Sequence, residues 1–160
     1  MNSDPSEKKL LERYERACAR AEHCSGDIRR KALKALNGDE EAAGRIVAKL
    51  IADGFIDDRR YAGAFVREKS ALQGWGEAKL RYMLAGKGIA REVITDALTE
   101  IDPDKADARL RKLLQTKARS LKGDPQIRLK LLKFALSRGY DYETVDAAVR
   151  SLPSDAGEKC

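Results

Sequence analysis

Gly88 and Gly139 stand 139 − 88 = 51 residues apart, and the chain around them repeats at that shift. Lys79 pairs with Lys130, Leu80 with Leu131, Met83 with Phe134, Ile94 with Val145 and Ala97 with Ala148. Apolar and basic positions both survive the shift, and the apolar ones fall at helical spacing. A helical unit of about 50 residues buries too little surface to stand alone, so each copy must lean on a neighbour. That constraint points to an all-α fold, an elongated, curved array of three tandem three-helix repeats. Such a scaffold reads a surface; it does not build a pocket for chemistry.

The repeats are expected at 7–56, 57–101 and 102–152, between flexible tails at 1–6 and 153–160. In the first, Leu10, Leu11, Tyr14, Ala17, Cys18 and Ala21 form a helical stripe. Ser25 is a candidate N-cap with Asp27 in the first turn, and Asn37-Gly38 ends that helix. A third helix opens at Asp39-Glu40-Glu41 and buries Ile46, Val47, Leu50 and Ile51. The second repeat starts with a capping carboxylate from Asp57-Asp58, turns Ala62, Phe65 and Val66 inward, and breaks at Gly74-Trp75-Gly76. If Phe65 is fully buried, its truncation to alanine costs about 3–5 kcal/mol. The third starts at Asp102-Pro103 and carries Leu110, Leu113, Leu114, Ala118 and Leu121, then Ile127, Leu131, Phe134 and Ala135. Its last helix runs from Asp141 through Val145, Ala148 and Val149 to Leu152.

The net charge of +6 is unevenly spread. Residues 109–138 hold Arg109, Arg111, Lys112, Lys117, Arg119, Lys122, Arg128, Lys130, Lys133 and Arg138 against one acid, Asp124. Up to Ile101 the charges nearly balance. A basic stretch of this kind suits an anionic partner, either nucleic acid or an acidic protein groove; its plainer reading is a solvated helix face. Cys18, Cys24 and Cys160 offer no disulfide framework, and His23 with Cys24 is one ligand pair where a metal needs more. The single histidine, the lack of a Gly-rich phosphate loop and the lack of a nucleophile elbow argue against an enzyme, and nothing calls for a cofactor. No run is long and apolar enough to span a bilayer and residues 1–9 are polar, so a cytoplasmic protein is expected.

Phe55-Ile56-Asp57-Asp58-Arg59-Arg60-Tyr61-Ala62, Phe65-Val66-Arg67, Lys79-Leu80-Arg81 and Lys87-Gly88-Ile89 together resemble the RecX family of bacterial recombinase regulators. Ser25 ahead of Ile28-Arg29-Arg30-Lys31 resembles that family's opening serine and basic helix. The likeness runs from about Leu10 to Leu152 and is strongest over 50–98. One departure is Leu36-Asn37-Gly38, which lacks the basic residue usual before that glycine. The resemblance implies a non-enzymatic, cytoplasmic, monomeric regulator that binds the RecA filament on single-stranded DNA along its groove. It also implies inhibition of RecA's ATPase, strand-exchange and co-protease activities, in the setting of DNA repair and the SOS response.

Outward basic residues are the candidate contacts: Arg59, Arg60, Arg67, Lys79 and Arg81 in the second repeat, and Arg119, Lys122, Lys130, Lys133 and Arg138 in the third. Their competing role is pairing within the fold, Arg59, Arg67 and Arg81 with acids such as Asp58, Glu68 and Glu77. Trp75 either stacks on a partner or plugs a helix entry. The alternative function is a helical module that binds nucleic acid directly through its basic face.

Overall fold

The computed structural model describes residues 5–153, and among these the chain is all-α. In order the helices are α1 (Pro5–Arg20), α2 (Ser25–Ala35), α3 (Glu40–Ala52), α4 (Asp58–Leu72), α5 (Glu77–Gly86), α6 (Arg91–Leu98), α7 (Pro103–Ser120), α8 (Ile127–Ser137) and α9 (Tyr142–Arg150). They fall in threes, as the repeat requires. α1 begins at Pro5, two residues ahead of the expected start, because proline suits a first helical turn that needs no N–H. Residues 1–4 and 154–160, with most of the expected tails and Cys160, lie outside the described residues.

Aspartates start four of these helices by satisfying orphan N–H groups. Asp39 accepts from Ala42 N–H at 3.0 Å, and Asp57 from Arg59 and Arg60 N–H at 3.0 and 3.2 Å. Asp102 accepts from Asp104 N–H at 2.9 Å and Asp141 from Thr144 N–H at 3.3 Å. Ser25 does not cap α2. The N-cap is Cys24, whose side chain makes no capping hydrogen bond, and Ser25 is the first helical residue. Its hydroxyl donates to Asp58 Oδ2 at 2.6 Å and its N–H to Asp58 Oδ1 at 2.8 Å. Asp58 is available for this because its neighbour Asp57 has taken the capping role.

The chain divides into two compact units that follow packing and not the repeat boundaries. One runs to Ala64 and includes Leu84–Ala97; the other comprises Phe65–Met83 and the chain from Leu98 onward. The first has its core in α1–α3, where Leu10, Tyr14, Ile28, Ile46, Val47 and Leu50 pack together with Ile56. The core of the second is Leu110, Leu114, Ala118, Leu131, Ala135, Val145 and Val149 from α7–α9. Four apolar expectations are corrected. Leu113 and Phe134 are only half-buried and lie outside the α7–α9 core, because Leu110, Leu114 and Ala118 of α7 and Leu131 and Ala135 of α8 already fill it. Ile51 is 51% exposed, since α3 packs through Ala43, Ile46, Val47 and Leu50 and Ile51 lies one step of about 100° past that face. Phe65 is only half-buried: Ala62 and Val66 hold the buried positions, and Phe65 sits edge-on to Trp75 with ring centroids 6.0 Å apart. Its truncation therefore falls short of a full core deletion.

Each unit contains one joint between successive repeats, and both joints use a glycine at a helix N-terminus. In the first unit Gly26, in the opening turn of α2, presses on the turn after α5: a Cβ there would lie 2.0 Å from the Lys87 carbonyl oxygen. In the second, Gly76 ahead of α5 meets the turn after α8, and a Cβ would lie 2.6 Å from the Gly139 oxygen and 2.8 Å from Tyr140 N. Gly76 N–H donates to the Arg138 carbonyl at 2.7 Å and Ala78 N–H to the Gly139 carbonyl at 3.0 Å. Orphan donors that start one helix thus meet orphan acceptors that end another, with the helix dipoles in favourable order. Gly139 has φ +99°, a conformation open mainly to glycine.

Both obstructing groups are backbone, which cannot swing aside. Gly26→Ala and Gly76→Ala are each expected to destabilise the protein by about 1–3 kcal/mol or more. Gly86→Ala, where a Cβ meets nothing within 4 Å, is expected to be neutral or to stabilise by about 0.5–1 kcal/mol. Thermal melts of the three variants check this; equal melting temperatures would mean the joints are not close-packed.

Candidate partner interface

The ten candidate cations divide by what already holds them. In the first unit, Arg59 is 2.7 Å from Asp96, with both side chains more than half exposed. Arg60 lies 2.5 Å from Glu22 and also donates to the Gly54 carbonyl at 3.2 Å. In the second, Arg67 pairs with Glu100 at 3.0 Å and Arg81 with Glu77, one turn away, at 3.2 Å. Of the three expected internal partners only Glu77 is used; Asp96 and Glu100, on or just after the third helix of the same repeat, replace the sequence neighbours Asp58 and Glu68. Exposed pairs of this kind are weak and salt-screened, so a partner carboxylate or phosphate can exchange for the internal one.

Lys79 is half-buried, with its ammonium 4.5 Å from the centroid of the Trp75 ring. Lys69 approaches the same ring at 5.4 Å. Trp75 is half-buried between Phe65 and these cations, so it works as a packing element. Lys130 is held 2.5 Å from Asp124. That hydrogen bond, with one from Gln126 N–H, keeps the Asp124 carboxyl below its ordinary pKa. Arg138 lies over Phe134 at 5.0 Å and reaches the Gln73 carbonyl at 3.5 Å. Arg119, Lys122 and Lys133 differ from the rest. All three are exposed, and none of their side chains makes a hydrogen bond, ion pair or ring contact among the described residues.

Lys87, which the sequence singles out only within Lys87-Gly88-Ile89 and not as a candidate contact, anchors the first joint. Its ammonium is 3.1 Å from Asp27 Oδ2 and 5.8 Å from the Tyr61 ring centroid. Asp27 is also bonded by Arg30. Burial disfavours the charge on both partners of the Lys87–Asp27 pair, but hydrogen bonds outweigh it. Asp27, bonded by Lys87 and the Cys24 thiol, ends below its ordinary pKa, and Lys87, bonded by Asp27 and Tyr61, ends above its own. At the 51-residue shift the counterpart of Lys87 is Arg138, which serves the second joint. At the departure in the first repeat, Asn37 itself takes a left-handed conformation, with φ +56°, ahead of Gly38 at φ +87°.

The comparisons with known proteins agree with this architecture. Residues 57–98 match the model of the RecX second three-helix domain. The chain is 30% identical over 162 residues to the regulatory protein RecX of Escherichia coli (strain K12 / DH10B), an alignment covering 92% of this chain and 94% of that protein. The chain belongs to the RecX family. Against the regulatory protein RecX of Clostridium botulinum (strain Alaska E43 / Type E3) the identity is 34% over 116 residues. That match covers 70% of this RecX-family chain but spans only about half, 54%, of the longer relative. Two crystal structures share the fold: a regulatory protein RecX (TM-score 0.79, 24% identity, 91% of this chain and 72% of that one) and RecX from Lactobacillus salivarius (TM-score 0.75, 20% identity, 91% and 95%).

Asp27 has a depressed folded pKa, so its contribution is present above the unfolded carboxylate value near 3.9 and is lost as pH falls through the folded one. Lys87 is raised, so its contribution is present below about 10.4 and is lost as pH rises through the folded value. Asp27→Asn is expected to cost about 1–3 kcal/mol at neutral pH. In melts across pH the deficit should shrink as pH falls below the ordinary carboxylate value near 3.9; a deficit independent of pH would show that charge at this joint does not matter.

Proposed function

We propose that this chain is a non-enzymatic regulator that binds the RecA filament on single-stranded DNA and inhibits RecA's ATPase, strand-exchange and co-protease activities. Membership of a family of regulatory proteins supports the class of function. The observation that carries the binding role is that the side chains of Arg119, Lys122 and Lys133 are exposed and have no partner among the described residues. Three cations left unsatisfied by the fold are open to an anionic partner. The remaining candidates, Arg59, Arg60, Arg67, Lys79, Arg81, Lys130 and Arg138, contribute where a partner competes with their internal contacts. Work on a filament inside the cell makes the protein cytoplasmic and requires no cofactor, and a monomer suffices, since repeated contacts along a filament supply avidity. No helix among the described residues is long and apolar enough to cross a membrane.

Direct nucleic-acid binding is the second reading, because the same unpartnered cations would serve phosphates. The two separate in one experiment, binding to bare single-stranded DNA and to RecA–DNA filaments at physiological salt. The filament is expected to be bound more tightly, with bare-DNA binding collapsing as salt rises. Equal affinities would favour the second reading. Reversing Arg119, Lys122 and Lys133 together to glutamate is expected to weaken inhibition of RecA's DNA-dependent ATPase by at least about tenfold, with helical circular dichroism unchanged. Undiminished inhibition by that folded variant would remove these residues from the interface.

A further inference from the structure

Within the second unit a groove of about 690 Å³ opens between the end of α4, the Gln73-Gly74 turn, one face of α7 and the end of α8. Its α7 wall is a single stripe, Arg109, Lys112, Leu113, Thr116, Lys117 and Ser120, at steps of three and four residues. That stripe is about 16 Å long, three turns of helix. It sits beside the buried stripe Leu110, Leu114 and Ala118, so packing of α7 against its own repeat fixes it in place.

Two properties of the lining define what fits. Among the described residues four cations line it, Arg109, Lys112, Lys117 and Arg138, and no carboxylate does. None of the four forms an ion pair among the described residues. Between them lies an apolar floor of Leu72, Leu113 and Phe134. Leu72 is 79% exposed, so a large aliphatic side chain stands in water next to a field of positive charge. Its exposure contributes nothing to this fold.

We propose that this groove is a docking site for an acidic peptide segment that carries apolar side chains, presented by a protein partner. The segment's carboxylates pair with Arg109, Lys112, Lys117 and Arg138, and its apolar side chains cover Leu72 and Leu113 in the helix-in-groove manner. A nucleic-acid strand fits less well. Base stacking needs a bare ring, and the one ring in the lining, Phe134, is already approached by Lys117 at 5.3 Å and by Arg138 at 5.0 Å. An aliphatic floor rewards a leucine, which nucleic acid lacks. The proposal deepens the filament-regulator reading and rests on it only in taking the partner to be a protein.

The test uses the full chain and fluorescence anisotropy with three labelled probes: a short glutamate–leucine peptide, an equally charged glutamate–serine peptide and an oligothymidylate of matching charge. The glutamate–leucine peptide is expected to bind at least about tenfold tighter than either of the others, the scale of one buried leucine. Leu72→Ser should remove that preference, and Lys112→Glu with Lys117→Glu should abolish binding, with circular dichroism intact. Lys8→Glu with Lys9→Glu, exposed on α1 and outside the lining, should leave peptide binding within about twofold. Equal binding of the two peptides, oligothymidylate bound most tightly and lost in the Lys112/Lys117 variant, or equal loss in the Lys8/Lys9 variant would each overturn the proposal. RecA ATPase inhibition by the unmodified chain is read in parallel. Its absence would sink the regulatory reading while peptide binding stood, and loss of peptide preference would sink the groove while inhibition stood.

Discussion

Everything in this fold depends on how one helix start meets another helix end. At the second joint the first donors of α5 close on the Arg138 and Gly139 carbonyls at 2.7 and 3.0 Å. Four orphan N–H groups at the start of every helix and four orphan C=O groups at its end must find partners, and small repeats have few side chains to spare. Pairing the two kinds of orphan solves both problems with backbone alone. The geometry demands a missing Cβ, hence Gly26 at one joint and Gly76 with Gly139 at the other. Side chains then latch each joint: Lys87 on Asp27 in the first, and the Tyr140 hydroxyl on the Gly74 carbonyl at 2.9 Å in the second.

This use of backbone explains how basic residues are distributed between structure and function. Lys87 and Arg138 occupy matching positions before the turn glycines, and both are held inside joints. Arg59, Arg60, Arg67 and Arg81 are exposed but balanced by acids, three of those acids lying more than 30 residues away. From Arg109 to Arg138 a single acid, Asp124, stands among ten basic residues, and most of these cations have no carboxylate partner among the described residues. The surplus charge of the chain is therefore a local feature of the second unit, available to a partner because the fold has no use for it.

Much of the architecture was legible in the residues. The 51-residue shift located the third repeat from the second, and the aspartates at 39, 57, 102 and 141 marked helix starts because capping is a local interaction. The misreadings were all tertiary. Ser25 had a cap's identity and position, but a carboxylate 33 residues away offered its N–H and hydroxyl a better pair of bonds. Ile51 and Phe65 had the right polarity for a core, but helix periodicity alone does not fix how wide the packed face is. The candidate cations were chosen by being basic, which could not separate Lys130, neutralised by Asp124, from Lys133, which has no partner among the described residues. The α7 stripe at 109, 112, 113, 116, 117 and 120 was readable by spacing, yet nothing local said that the end of α4 would form its opposite wall.

The sequence by itself determined the all-α class, the repeat, the helix starts and the segment that carries the excess charge. Each of these rests on interactions within a few residues or on a periodicity that survives translation. Tertiary structure decided which glycines are joints, which arginines are spoken for and which cations are left to line a groove. Those outcomes turn on contacts made across tens of residues at distances of a few ångströms, and only a folded backbone sets them.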